Sequence, residues 1–240
     1  MSQIPNPFGM NRSQPLDYAG EADQTMVRFF NAVYAWMCVG LAVTASVAYL
    51  TSQHVDVLLR LGPGIFALFI VEIVLVMVIA RAVNRINASM ATVLFLLYAG
   101  INGVTLAGIF LIYAKSTLAS AFVVSAGTFG VMSVYGMVTK RDLTAMGQIM
   151  MMLLIGLIIA SIVSIFWHNS LLQVAINYLG VLVFVGLTAY DTQKLKAVAD
   201  QTRNNAALAA RMSIVGSLVL YLDFINLFLF ILQLMNDRRR

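Results

Sequence analysis

The sequence predicts an all-α polytopic membrane protein built as a bundle of seven transmembrane helices. Composition is the first observation: 61% of the 240 residues are hydrophobic and only 10% are charged, against about 25% charged in a soluble domain. The second is a series of seven apolar blocks, at 29–51, 64–80, 89–113, 117–138, 146–167, 170–190 and 212–235. At about 1.5 Å of rise per residue, six of them reach across a hydrocarbon core of about 30 Å, and the second, at 64–80, sits at the lower limit of length for a span. The third is that the connections are short, apart from a polar, charged one between the sixth and seventh blocks. No room remains for a soluble catalytic domain. The chain divides into a flexible polar segment (1–28), a single seven-helix domain (29–236) and a short basic tail (237–240).

The polar start carries Pro5, Pro7, Gly9 and Pro15 and lacks the charged-then-apolar order of a signal peptide. The first block contains Cys38, the one cysteine of the chain, which can form no internal disulfide and reads as buried packing. The second block holds Glu72 near mid-membrane and Arg81 at its end. The third and fourth are rich in small residues (Gly100, Gly103 and Gly108; Ser125, Gly127, Gly130, Ser133 and Gly136), which let helices approach closely in lipid. Asn102, in the third block, either lines an interior path or bridges helices. The fifth opens with Met146, Met150, Met151 and Met152, a pliable packing surface in preference to a metal site. His54 and His168 fall in connections and make no metal motif.

Lysines and arginines fix an expected orientation. Ten lie on the side of the N-terminus (Arg12, Arg28, Arg81, Arg85, Lys140, Arg141, Lys194, Lys196, Arg203, Arg211) and five on the other (Arg60, Lys115, Arg238, Arg239, Arg240). The positive-inside rule then places the N-terminus in the cytoplasm and the C-terminus outside. The net charge of +5 suits anionic lipid headgroups, and no nucleic-acid partner is expected.

The seventh block, Met212 to Met235, carries one ionisable side chain, Asp223, near its middle. An ionised carboxylate at that depth costs at least about 2.5 kcal/mol, so it must face protein or water. Gly216, Asp223, Asn226 and Gln233 fall on one face at helical spacing. The sixth block ends in GLTAYDTQKLK, with Gln173, Asn177, Thr188 and Asp191 on one stripe. Asp191 and Asp223 thus belong to the same half of the membrane on consecutive helices. Two carboxylates held close together do not both ionise cheaply and tend to share a proton. Such a cluster, with Glu72 and Arg81 at hand, suits pH sensing and the attraction of a cation such as Ca²⁺. A buried acid that is purely structural is the alternative.

Three stretches carry a resemblance. YDTQKLK (190–196), LYLDFINLFLFILQL (220–234) and YGMVTKRDL (135–143) resemble the Bax inhibitor motif family, also called TMBIM, and in particular its bacterial members. The likeness runs from Arg28 onward. It implies a seven-helix bundle with the last helix central and a pH-sensitive calcium leak. By position, Asp191 and Asp223 match the family's proton-sensing pair, Arg81 the arginine that latches to it, and Glu72 an acidic residue on the same helix. Asn102, Asn177 and Asn226 are pore-lining candidates. The resemblance implies no cofactor, calcium as transported ion, no enzymatic activity and a place in the bacterial inner membrane.

Two other functions fit some of these residues. A regulatory protein that binds a membrane quality-control protease is one. An intramembrane aspartyl protease is the other, since Tyr190-Asp191 and Tyr221-Leu222-Asp223 mimic its paired acids. Against it, the second aspartate lacks a Gly-x-Gly context and the four prolines all lie at or before residue 63.

Overall fold

A computed structural model describes residues 14–62, 64–82, 86–167 and 169–237. His168, Arg85, Arg12 and Arg238 to Arg240 lie outside the described residues. The helices are α1 (Gln14–Ser52), α2 (Val55–Leu61), α3 (Gly64–Ala82), α4 (Ala88–Leu106), α5 (Ile109–Ile112), α6 (Lys115–Val138), α7 (Thr144–Phe166), α8 (Ser170–Thr202) and α9 (Ala206–Asp237). Seven of them (α1, α3, α4, α6, α7, α8 and α9) are long and apolar enough to cross a membrane. The chain is an all-α polytopic membrane protein.

The last helix is central. α9 is the most buried span and packs against α8, α1, α6 and α4, whereas α7 leans on α8 and α3 on α4. Among the fully buried side chains are Tyr221, Leu220, Leu227 and Leu232, all from α9. The outer helices α3 and α7 bury least, because lipid solvates their Leu, Ile and Val as well as protein would.

The structure changes several sequence expectations. α1 already begins at Gln14, within the stretch expected to be a flexible lead-in; hydropathy detects only the part of a helix that sits in lipid, and the apolar span starts at Gln24. The polar connection after the sixth block is mostly helix as well. α8 runs on to Thr202 and α9 starts at Ala206, leaving a tight turn where a long loop was expected. Cys38 is exposed on the bundle surface and does not pack inside it. Of the small residues, Gly103 lies against the Thr44 carbonyl, 2.7 Å from where a Cβ would stand, and Gly136 lies against the Ala189 carbonyl. Gly100, Gly108, Gly127 and Gly130 have nothing within 4 Å of that position, so they serve no close approach. Met150 packs under Gly186, while Met151 and Met152 are exposed.

Candidate functional site

The α8–α9 hairpin sets the site. Gly180 receives the Phe230 ring, 2.5 Å from where a Cβ would stand, and Gly216 receives Leu195 at 2.6 Å. Level positions on these antiparallel helices therefore add to 410 or 411. By that register Asp223 stands opposite Leu187 and Thr188, and Asp191 stands one turn, about 5 Å, nearer the hairpin's turn. Residues seven apart share a face to within about 20°. Gly216 and Phe230 both contact α8, so Asp223 between them faces α8 too. Asp191 shares its face with Leu195, the residue that packs on Gly216.

Asp223 is 5% exposed, and its Oδ2 is buried with no hydrogen-bond partner among the described residues. By the register above, Asp191 is the other carboxylate on this face of the hairpin, about one turn away. Such an oxygen is costly to leave unpaired in a low-dielectric interior. That makes the position a reactive one in the physical sense: a proton, a water or a cation would each relieve it.

The rest of YDTQKLK fastens helices around this acid. Tyr190 packs over Gly147 of α7. Thr192 Oγ1 is 3.0 Å from Ser133 Oγ, which in turn hydrogen-bonds Tyr34, joining α1, α6 and α8. Gln193 accepts from the Leu143 amide and donates to the Arg141 carbonyl, both at 2.8 Å. Lys196 donates to the Met137 carbonyl at 2.9 Å. The partners 137–143 belong to YGMVTKRDL, so the two motifs are one contact in space. Asp142, at the surface of that loop, accepts from the Thr144 amide and hydroxyl, and those bonds hold its carboxyl below the usual carboxylate range.

Glu72 does not join the aspartates. It is buried in α3, where it accepts from Thr105 Oγ1 at 2.6 Å and Asn102 Nδ2 at 3.3 Å. Asn102 accepts in turn from Tyr221 at 2.9 Å, and the Tyr221 hydroxyl lies 2.7 Å from Thr44. Tyr221 and Asp223 are two residues apart and so point to nearly opposite faces of α9. α9 therefore carries two separate polar centres, one toward α8 and one toward α4 and α1.

Arg81 is exposed at the end of α3, and among the described residues no ion pair joins it to either aspartate. The arginine that ties this region together is Arg211, whose Nη1 donates to the Ile86 carbonyl at 3.2 Å. Sequence reading missed Arg211, Tyr221, Thr105 and Tyr34. Only the i, i+3 pairing of Asn102 and Thr105 offered a signal.

Asn177 is buried and receives a hydrogen bond from Gln173 at 3.3 Å; Gln173 also reaches Gln233 at 3.4 Å. Gln233 and Asn177 add to 410, the same register. Asn226 is half-buried and donates to the Leu222 carbonyl of its own helix at 2.8 Å. Between this amide layer and the aspartates lie Phe184 and Phe230, stacked with ring centroids 5.9 Å apart.

A family model described as "Inhibitor of apoptosis-promoting Bax1" matches residues 26–240. The chain belongs to the Bax inhibitor family. Among its relatives is the inner membrane protein YbhL of Escherichia coli, 45% identical over 212 residues, covering 86% of this chain and 90% of YbhL. An uncharacterized protein of Deinococcus radiodurans is 43% identical over 213 residues, covering 88% and 92%. Another, of Borreliella burgdorferi, is 40% identical over 229 residues, covering 93% and 99%. The family match begins two residues after the span of α1 does, so it takes in every membrane helix described above.

Proposed function

We propose that this Bax inhibitor family protein passes cations, calcium among them, across the membrane along the α8–α9 seam, under the control of a proton on Asp191 and Asp223. The observation that carries the reading is the buried, unpartnered Oδ2 of Asp223, facing α8 one turn from a second carboxylate. The seam has the other parts a path needs: an amide layer at Gln173, Asn177 and Gln233, and an aromatic plug at Phe184 and Phe230 that closes it in this state. Among the described residues no three His, Cys, Asp or Glu side chains converge. Calcium takes roughly six to eight oxygen ligands, so a pair of carboxylates attracts it without trapping it. Glu72 and Asn102 form the second polar centre, and Arg81 is exposed with no ion pair to either aspartate among the described residues.

The protein is not an enzyme on this reading. Asp223 lacks the Gly-x-Gly context of an intramembrane aspartyl protease, and the four prolines all lie at or before residue 63. Its place is the bacterial inner membrane, as YbhL's name says of YbhL, with the N-terminus in the cytoplasm by its charge balance.

The test is calcium release from dye-loaded proteoliposomes over a pH series across neutrality. Wild type should show flux that changes with pH, and Asp223→Asn or Asp191→Asn, which keep shape and hydrogen bonding, should lose that dependence. Flux with an unchanged pH profile in both variants refutes the shared proton. No flux at any pH refutes the transport reading and favours regulation of a membrane protease.

A further inference from the structure

Away from the seam, on the other side of α9, a half-open cavity of about 480 Å³ lies between α1, the α4–α5 corner, α6 and α9. Leu41 and Tyr49 of α1, Phe110 of α5, Phe122 of α6, and Phe224 and Phe228 of α9 form much of its wall. Its volume falls within the roughly 300–1,000 Å³ typical of small-molecule pockets. Its lining is hydrocarbon apart from Thr44, the Tyr49 hydroxyl and Lys115. The Thr44 hydroxyl is already committed, donating to the Ala99 carbonyl at 2.9 Å and lying 2.7 Å from the Tyr221 hydroxyl. Thr44 therefore offers a polar ligand nothing, and the other polar groups, Tyr49 and Lys115, come at the end of the slot where α1 stops and α6 starts.

The cavity's long dimension matches one leaflet. On α1 the lining runs from Leu41 to Tyr49, and on α6 from Val123 to Lys115. Each stretch is nine residues, about 12 Å from first to last along the helix, against about 15 Å for half of a hydrocarbon core. Both end at the membrane boundary opposite the N-terminus, where α1 stops at Ser52 and α6 starts at Lys115. Lys115 is exposed there, and among the described residues it has no carboxylate partner. A slot of leaflet depth, lined with carbon and ending in an unpaired ammonium at headgroup level, is complementary to one molecule of the membrane itself.

We infer that this cavity binds one acyl chain of an anionic phospholipid from the leaflet opposite the N-terminus, with the lipid phosphate resting on Lys115. The binding is independent of the transport reading, since no residue of the α8–α9 seam lines the slot. It stands on shape for the chain and on charge for the headgroup, so the two can be removed separately. Ala45 and Ala119 line the slot and are exposed, which lets a larger side chain fill it without rebuilding the core.

Native mass spectrometry of the protein released from detergent, titrated with phosphatidylglycerol and with phosphatidylcholine of the same chains, reads this out. Wild type should hold one phosphatidylglycerol at energies that strip the others. Ala45→Phe with Ala119→Phe should lose that lipid. Lys115→Gln should keep the slot and lose the preference for phosphatidylglycerol by about fivefold, the worth of one lysine near an anionic surface. Equal lipid numbers in wild type and both variants would mean an ordinary lipid annulus and overturn the inference. So would equal retention of the two lipids by wild type, or retention of free fatty acid in place of phospholipid. Should the double variant fail to fold, the Lys115→Gln comparison decides.

Discussion

Replacing Phe230 by alanine separates closure of the seam from stability of the bundle. Phe230 is half-buried, seats on Gly180 and stacks on Phe184. A fully buried Phe→Ala change costs about 3–5 kcal/mol; a half-buried ring that lipid can partly replace should cost about 2 kcal/mol. The aromatic pair itself is worth about 1 kcal/mol. If that pair is what holds the seam shut, its loss shifts the closed-to-open ratio about fivefold, and calcium leak from proteoliposomes should rise by that factor. Phe224→Ala is the control. Phe224 is 3% exposed and its ring lies 5.6 Å from both Phe122 and Phe129 of α6, away from α8. That variant should lose more stability, about 3–5 kcal/mol, with no rise in leak beyond wild type. Thermal unfolding in detergent gives the stability order and dye release gives the flux order, and the two orders should be opposite. If leak simply follows lost stability, or Phe230→Ala leaves it unchanged, the plug at Phe184 and Phe230 is not the gate.

Other outcomes follow from the remaining contacts. Tyr221→Phe removes the hydrogen bond to Asn102 and leaves the Asn102 oxygen short of a donor, so unfolding in detergent should show a loss of about 1–2 kcal/mol. Gly136→Ala puts a methyl group into the Ala189 carbonyl and should lower the melting temperature more than Gly127→Ala, whose site is open. Asp142→Ala should destabilise the start of α7. Folding lowers that carboxyl's protonation range, so its contribution is full at pH above the ordinary carboxylate range and disappears as acid protonates it; wild type and variant should converge in melting temperature at low pH.

Seven spans, the buried acid of α9 and the pairing of consecutive aspartates were written in the sequence, because lipid enforces them locally. A segment either is apolar for about 20 residues or does not span, and a lone carboxylate inside such a segment stands out whatever packs around it. Where the spans end was less legible. Residues 191–211 read as a loop because they are polar, yet helix geometry needs no hydrophobicity once the chain leaves the hydrocarbon, so α8 and α9 continue almost to their shared turn. Only tertiary structure could decide the partners. Glu72 and Asp223 are both mid-membrane acids, but α3 packs on α4, so Glu72 meets Asn102 and Thr105 while Asp223 faces α8, one turn from Asp191. Tyr221, two residues from Asp223, joins the Glu72 centre because successive positions on a helix turn by about 100°. Likewise Arg211, and not Arg81, holds the α3–α4 connection to α9, because the helix extension that carries it lies beside Ile86. The sequence determined what had to be hidden from lipid; the register of α8 on α9, set where Gly180 and Gly216 admit Phe230 and Leu195, decided which hidden groups face one another.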